Sequence, residues 1–261
     1  MIANINRISN LPVYQFQNFN KLSDISHGIT TRAGGVSNEN FSSLNLSMMV
    51  NDDADKVKQN RNIVAAAFAV KPGNLKIPRQ QHSNDVLVVG HNHPLDLNAD
   101  ALITKEKNIA LAVLLADCVP VLIYDKINKV TAAIHAGWRG TVANIVVATI
   151  SKMQQTFGTD PENVVAGIGP SIGPEVYEVG PEVKEAADNS LGNGHGSIEK
   201  RNGRYYFNLW KANQLQLLQC GVPSSNIEIA GICTYQNPEV FFSARKIKPV
   251  TGRFAAVIKI N

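Results

Sequence analysis

LLADCVPVLIYDKINKVTAAIHAGWRG, residues 114–140, is the stretch on which the fold turns. Two runs in it, VPVLIYD (119–125) and VTAAIHAG (130–137), read as buried strands, since the alternating polar face of a half-exposed strand is missing. The link between strands 119–124 and 130–135 is DKINK. A parallel crossover needs about a dozen residues, so the pair must form an antiparallel hairpin. If the turn centres on Lys126 and Ile127, paired residue numbers sum to about 253 and Cys118 faces His135. A shift of one residue sets Val119 against His135 and leaves Cys118 one step away. Opposed Cβ atoms in such a ladder lie about 5 Å apart. That suits two ligands of one metal, or a thiol–imidazole pair. A buried cysteine and a core histidine that never meet is the plain alternative.

Outward from the hairpin, DVLVV (85–89) and NIALAVLLA (108–116) read as strands, the latter apolar on both faces. GTVANIVVATISKMQQTF (140–157) predicts an amphipathic helix, with Val142, Ile145, Val146, Thr149, Ile150, Met153 and Phe157 on one stripe and Gly158 as its stop. Residues 53–70 predict a helix capped by Asp52 or Asp53, and 208–219 predict another. NVVAGI (163–168), NIEIA (226–230) and RFAAVIKI (253–260) predict strands. The Gly-rich piece 189–203 reads as a long surface loop. Strands mixed with helices indicate an α/β (α+β) fold with mixed sheets and flanking helices, in one domain over 1–261.

The chain has 261 residues, 44% hydrophobic and 18% charged, which is enough to build a substantial core. The formal net charge of +4 is scattered along the chain. It suits an anionic small ligand, or is ordinary surface charge. No clustered basic face with interleaved aromatics points to nucleic acid. The cysteines, Cys118, Cys220 and Cys233, are odd in number and widely spaced, so no disulfide framework is expected. The N-terminal residues lack a signal pattern, and no apolar run reaches the ~18 residues needed to span a bilayer. A cytoplasmic protein is expected, with no membrane partner. No heptad or apolar stripe demands a partner chain, so a monomer is expected.

His82, in IPRQQHSNDVLVV, precedes a strand and is a third candidate ligand. Two histidines and a cysteine would suit Zn²⁺ and leave one position open. AGWRGT (136–141) sits where a strand gives way to a helix, and the helix start at Gly140 with Arg139 beside it offers donors to an anion. A tight turn capped by Thr141 is the alternative there. Asp117, next to Cys118, needs a partner if buried: it could orient a ligand histidine, assist proton transfer or pair with Arg139.

HGITTRAGGVS, NLS, RQQHSNDV, ADALIT, ADCVPVLI, HAGWRGT, GIGPSIGPEVYEVG, CTYQNPEVFFSARK and TGRFAAVI together resemble the polyphenol oxidase (laccase-like) family. Its bacterial members are also called purine nucleoside phosphorylases or peptidoglycan editing factors. The resemblance runs from about residue 27 to 260. It implies a core similar to the Cys/His toxin-deamidase superfamily and a mononuclear Zn²⁺ on His82, Cys118 and His135. It further implies phosphorolysis of adenosine, inosine, guanosine and methylthioadenosine, with adenosine deamination as a second activity. Under that reading His82, Cys118, His135 and Asp117 are the catalytic residues, and Arg32, Asn45, Arg139 and Gly140 contact the purine nucleoside or phosphate.

Three alternatives stay beside it. Copper could replace zinc in a polyphenol oxidase, although multicopper chemistry uses several His-x-His pairs and this chain has six histidines, its one such pair being HNHP (91–94). Cys118 could be a thiol nucleophile with His135 as its base, leaving His82 without a part. The chain could be a hydrolase that edits peptidoglycan precursors. One departure from the family pattern is noted: SARKIKPVTGR (243–253) has Lys246 where a second arginine is usual, which keeps the charge but loses the forked geometry.

Overall fold

The chain forms four layers: helix, sheet, sheet, helix. The computed structural model describes residues 4–93, 98–247 and 250–261. Sheet one runs, in spatial order, Ile5–Ile8, Leu11–Tyr14, Ile25–Thr30, Phe254–Ile260, Ala110–Leu115 and Leu75–Lys76. Sheet two runs Ile227–Ile229, Val164–Ile168, Val119–Asp125, Val130–Ala136, Ala101–Thr104 and Val86–Val88. Both are mixed: sheet one has a parallel pair at one edge and sheet two has one at each edge. A small third sheet, Glu178–Val179, Arg204–Phe207 and Ile198–Arg201, lies apart from them.

Alternation along the central strands assigns the layers. On sheet two, Val119, Val121, Ile123, Ile134 and Ala136 meet helices Ile145–Phe157, Pro181–Leu191 and Leu209–Gln219 through Ile145, Ile150, Val183 and Leu217. The opposite face, with Leu122, Tyr124 and Ala133, meets Leu111, Val113, Phe254 and Ile258 of sheet one. The outer face of sheet one, with Ala112, Ala255 and Val257, is covered by helix Ala54–Ala67 through Val64 and Ala65. Asp53 caps that helix, its carboxylate accepting from the N–H groups of Asp55 and Lys56. Strands 110–115 and 119–125 are thus apolar on both faces because each is sandwiched between two layers.

The hairpin register differs from the sequence expectation by two. Val119 pairs with Ala136 and Pro120 with His135, so paired numbers sum to about 255 rather than 253. The cause is Asp125. Its carboxylate accepts from the N–H of Ile127, the N–H of Asn128 and Nδ2 of Asn128, centring the turn on Ile127 and Asn128. Side chains alternate with period two, so a shift of two keeps every residue on its face. Cys118 lies across from Gly137, and His135 is its diagonal neighbour on the face between the sheets.

Two further expectations are corrected. The single helix over 140–157 is two, Trp138–Val142 and Ile145–Phe157, because Asn144 takes a left-handed conformation with φ of 61°. The surface loop over 189–203 is largely structured: Pro181–Leu191 ends in it, and Ile198–Arg201 pairs with Arg204–Phe207 around Asn202-Gly203. Both turn residues have positive φ, as an Asn-Gly hairpin turn requires.

His27 is buried between Phe16 and Phe19, and its Nε2 accepts the Phe16 N–H at 2.9 Å. Burial holds its pKa down at about 4, so the ring is neutral. The unfolded chain takes up this proton near pH 6.5 and the native chain only near 4. Stability is therefore full above 6.5 and is lost as pH falls toward 4, by about 3 kcal/mol in all. Urea unfolding between pH 7 and 4 should show that loss in excess of His27→Gln, whose amide oxygen can still accept the Phe16 N–H.

Candidate functional site

The chain leaves sheet one at Leu115 and enters sheet two at Val119, crossing the gap between the sheets in three residues, Ala116, Asp117 and Cys118. Asp117 makes the turn possible with a φ of 88°. This crossing sets Cys118 at the open end of the gap, beside His135 from the neighbouring strand. His82 arrives from the loop before Val86–Val88, itself with a positive φ of 58°. One ligand atom from each of His82, Cys118 and His135 lies within 4.8 Å of the other two. Among the described residues this is the one such group of histidines, cysteines and acids. Gly137 is necessary to it: a Cβ there would stand 2.8 Å from His82 Nδ1 and 3.1 Å from Cys118 Sγ.

Asp100 holds the group together. Its carboxylate is fully buried at the start of strand Ala101–Thr104. Oδ1 contacts His135 Nδ1 at 2.8 Å and accepts the His82 N–H at 3.0 Å. Oδ2 accepts the N–H of Gln81 and the N–H and Oγ–H of Ser83. The Asp100 carbonyl also accepts the His135 N–H. One carboxylate therefore fixes the ring of one histidine and the backbone of the other, and it leaves His135 Nε2 free for a ligand. Burial works against its charge, but the His135 ring and these N–H groups hold its pKa down at about 2.

Charge is arranged around His135 in the same way. Burial pushes the Cys118 thiol up, but His135 and His82 more than offset it, to about 6. Burial also opposes charge on His135, while Cys118 and Asp100 draw its pKa up to about 9. Each of the two thus favours the charged form of the other, and the thiolate is the form that binds metal. Two imidazoles, a thiolate and a carboxylate behind one imidazole fit a metal ion held by three protein ligands.

The group lines a cleft of about 780 Å³, together with Ser47, Asp117, Tyr177 and four arginines, Arg61, Arg79, Arg245 and Arg253. The anion donors expected from sequence are elsewhere. Arg32 spends Nε on the Ser42 carbonyl and Nη1 on the Pro238 carbonyl, and its guanidinium stacks on Phe242. Asn45 is fully buried beneath the cleft wall. Arg139 is exposed and lies over its neighbour Trp138. Gly140 packs a five-residue helix against the His82 loop, where a Cβ would meet the Ser83 carbonyl at 3.0 Å. None of the four lines the cleft.

Asp117 does line it but has no bond to a histidine or to Arg139: Oδ1 accepts from Thr234 Oγ1 at 2.7 Å and Oδ2 from the Arg245 N–H at 2.6 Å. The histidine-orienting role belongs to Asp100, which the motif ADALIT contains. Its signal was an acid directly before the apolar run 101–103, with no partner nearby in sequence. Lys246 lies over the Tyr235 ring and is not among the residues that line the cleft. His91 and His93 sit in a turn apart from the metal-ligand group, with Pro94 outside the described residues.

A family model described as "Multi-copper polyphenol oxidoreductase laccase" matches residues 26–261. The chain is 42% identical over 257 residues to a purine nucleoside phosphorylase of Bacteroides thetaiotaomicron, covering 94% of this chain and 95% of that protein. It is 34% identical over 236 residues to adenosine deaminase RL5 of an unknown prokaryotic organism, covering 86% and 90%. The crystal structure of YlmD from Geobacillus stearothermophilus superposes with a TM-score of 0.91 at 29% identity, covering 99% of each chain.

Asp100→Asn tests the hub. An amide must point an NH₂ at N–H donors or at the His135 ring, so the 81–83 loop loosens. Zn²⁺ affinity, read by competition with a chromogenic chelator, should fall about 10–100-fold with the fold retained.

Proposed function

The chain belongs to the laccase-like multi-copper polyphenol oxidoreductase family, and on that premise we propose that it is a zinc-dependent purine nucleoside phosphorylase with a secondary adenosine deaminase activity. The observation that carries this is the His82–Cys118–His135 group on the wall of a cleft lined by four arginines. A metal site open to a cleft that attracts anions suits a reaction joining phosphate to a neutral nucleoside. The relatives' names, purine nucleoside phosphorylase and adenosine deaminase, support the same substrates.

His82, Cys118 and His135 would hold the ion. When bound, Zn²⁺ supplies Lewis-acid chemistry at an oxygen of substrate or water. The chain's own residues do the rest. Asp100 keeps the His135 ring in place. Arg61, Arg79, Arg245 and Arg253 attract phosphate and neutralise its charge. Asp117 receives the Arg245 backbone N–H and so fixes the turn that carries Arg245. In phosphorolysis a phosphate oxygen bonds to C1′ and the C1′–N9 bond breaks. The electron pair leaves with the purine, which takes a proton. In deamination water adds at C6 of adenine and ammonia departs.

One group of three ligands among the described residues supports a single metal ion rather than a multicopper cluster. Copper binds such nitrogen and sulfur donors well, and metal analysis of protein purified without added copper should find zinc alone.

Metal-analysed protein should convert adenosine to adenine and ribose 1-phosphate when phosphate is present. Inosine as the sole product would move the assignment to deamination, and no turnover in either condition would remove it. His82→Ala should lose both the bound metal and activity; an active, metal-free His82→Ala would instead make Cys118 a thiol nucleophile.

A further inference from the structure

The cleft wall contains two arginines that are tied to one short segment, Asn45-Leu46. Arg61 Nε donates to the Leu46 carbonyl at 2.9 Å, and the Leu46 N–H donates to the Arg253 carbonyl at 3.0 Å. Asn45, the residue before, accepts the Arg253 N–H at Oδ1, and the same oxygen accepts the Ser47 N–H. Asn60, the residue before Arg61, donates from Nδ2 to the Asn45 carbonyl at 2.8 Å. Helix Ala54–Ala67, the segment Asn45–Leu46–Ser47 and the start of strand Phe254–Ile260 are thereby tied together.

Neither guanidinium has a carboxylate within ion-pair distance among the described residues. Their protein partners are carbonyls alone. Arg61 spends Nε, and Arg253 spends Nη1 on the carbonyls of Thr251 and Gly252. The two terminal nitrogens of Arg61 and the Nε/Nη2 edge of Arg253 remain, each a fork that matches two oxygens of a tetrahedral anion. Burial lowers the pKa of both guanidiniums, a cost that an anionic ligand would relieve.

Resting on the phosphorylase reading, we propose that Arg61 and Arg253 form the inorganic phosphate subsite and that Asn45 and Leu46 brace it. Both arginines share the cleft with His82, Cys118 and His135, so phosphate held there lies in the same cavity as the metal ligands. Asn45 acts as a positioning residue: it is buried and reaches the ligand only through Arg253 and Ser47. The arginines contact the ligand, and the brace sets the angle between their forks, which charge alone would leave open.

The test uses the metal-loaded protein and inorganic phosphate, with binding read by calorimetry and by ³¹P NMR. The expected result is one phosphate per chain, with affinity about 10–100-fold lower in Arg61→Gln and in Arg253→Gln. Metal content and circular dichroism should persist in both. Arg61→Lys and Arg253→Lys, which keep the charge but lose the fork, should fall between. Lys105→Gln, an exposed cation outside the cleft, should bind phosphate normally. Asn45→Ala should raise KM for phosphate while leaving kcat and KM for adenosine near the parent values.

Equal phosphate affinity in the parent and both Gln variants overturns the subsite. So does binding of adenosine 5′-monophosphate by a chain that ignores inorganic phosphate. If phosphate binding depends on both arginines but no ribose 1-phosphate forms, the subsite stands and the phosphorylase reading falls. If ribose 1-phosphate forms with an unaltered phosphate KM in both Gln variants, the reading stands and the subsite falls.

Discussion

A carboxylate with no access to water must have its charge answered from within the protein, and at Asp100 that requirement organises the centre of the molecule. Five donors converge on it: the N–H groups of Gln81, His82 and Ser83, the Ser83 hydroxyl and the His135 ring. Three come from successive residues of one loop. The loop therefore adopts a conformation in which His82 has a left-handed backbone, and its side chain is delivered to Cys118 and His135. The strand that contributes His135 is bonded to Asp100 through backbone and side chain alike. Solvation of one buried charge and assembly of the candidate metal site are thus a single event.

The second constraint is the passage between sheets. Strands Ala110–Leu115 and Val119–Asp125 are consecutive in the chain but belong to different sheets, and three residues span the gap. A passage this short needs a sharp turn, which Asp117 supplies. Asp117 is kept there by the Thr234 hydroxyl and the Arg245 N–H, both from the C-terminal part of the chain. The polar pair in an otherwise apolar stretch is where a strand changes layers. Cys118 follows directly and is left at the mouth of the gap, beside the residues that need it.

Electrostatics in the cleft rest on arginines drawn from distant parts of the chain. Arg61 comes from a helix, Arg79 from the loop before His82, and Arg245 and Arg253 from the C-terminal region. None of the four donors expected from sequence, Arg32, Asn45, Arg139 and Gly140, lines the cleft, although motifs that carry three of them also contribute Ser47 and His135 to it. Arg32 and Asn45 instead join loops to one another, and Gly140 permits a close helix contact. Short motifs in a sequence mark both the groups that touch a ligand and the groups that hold them. Residue type does not separate the two.

The sequence by itself determined the local and periodic features: the central hairpin, the helices over 54–67 and 209–219, the terminal strand and the mixed α/β class. These follow from apolar periodicity and the shortness of one link, which need no knowledge of distant residues. It also placed Cys118 and His135 on one face, because an error of two in register preserves the face. Tertiary structure alone decided the rest. The register was set by the Asp125 carboxylate in the turn, and the helix break by the backbone of Asn144. Asp100 gained its role, and Asp117 lost one, through contacts across 17 to 128 positions of chain. The arginine lining was settled by which faces the four layers left open. Periodicity and spacing report which side a residue faces; only the packed fold reports what stands opposite.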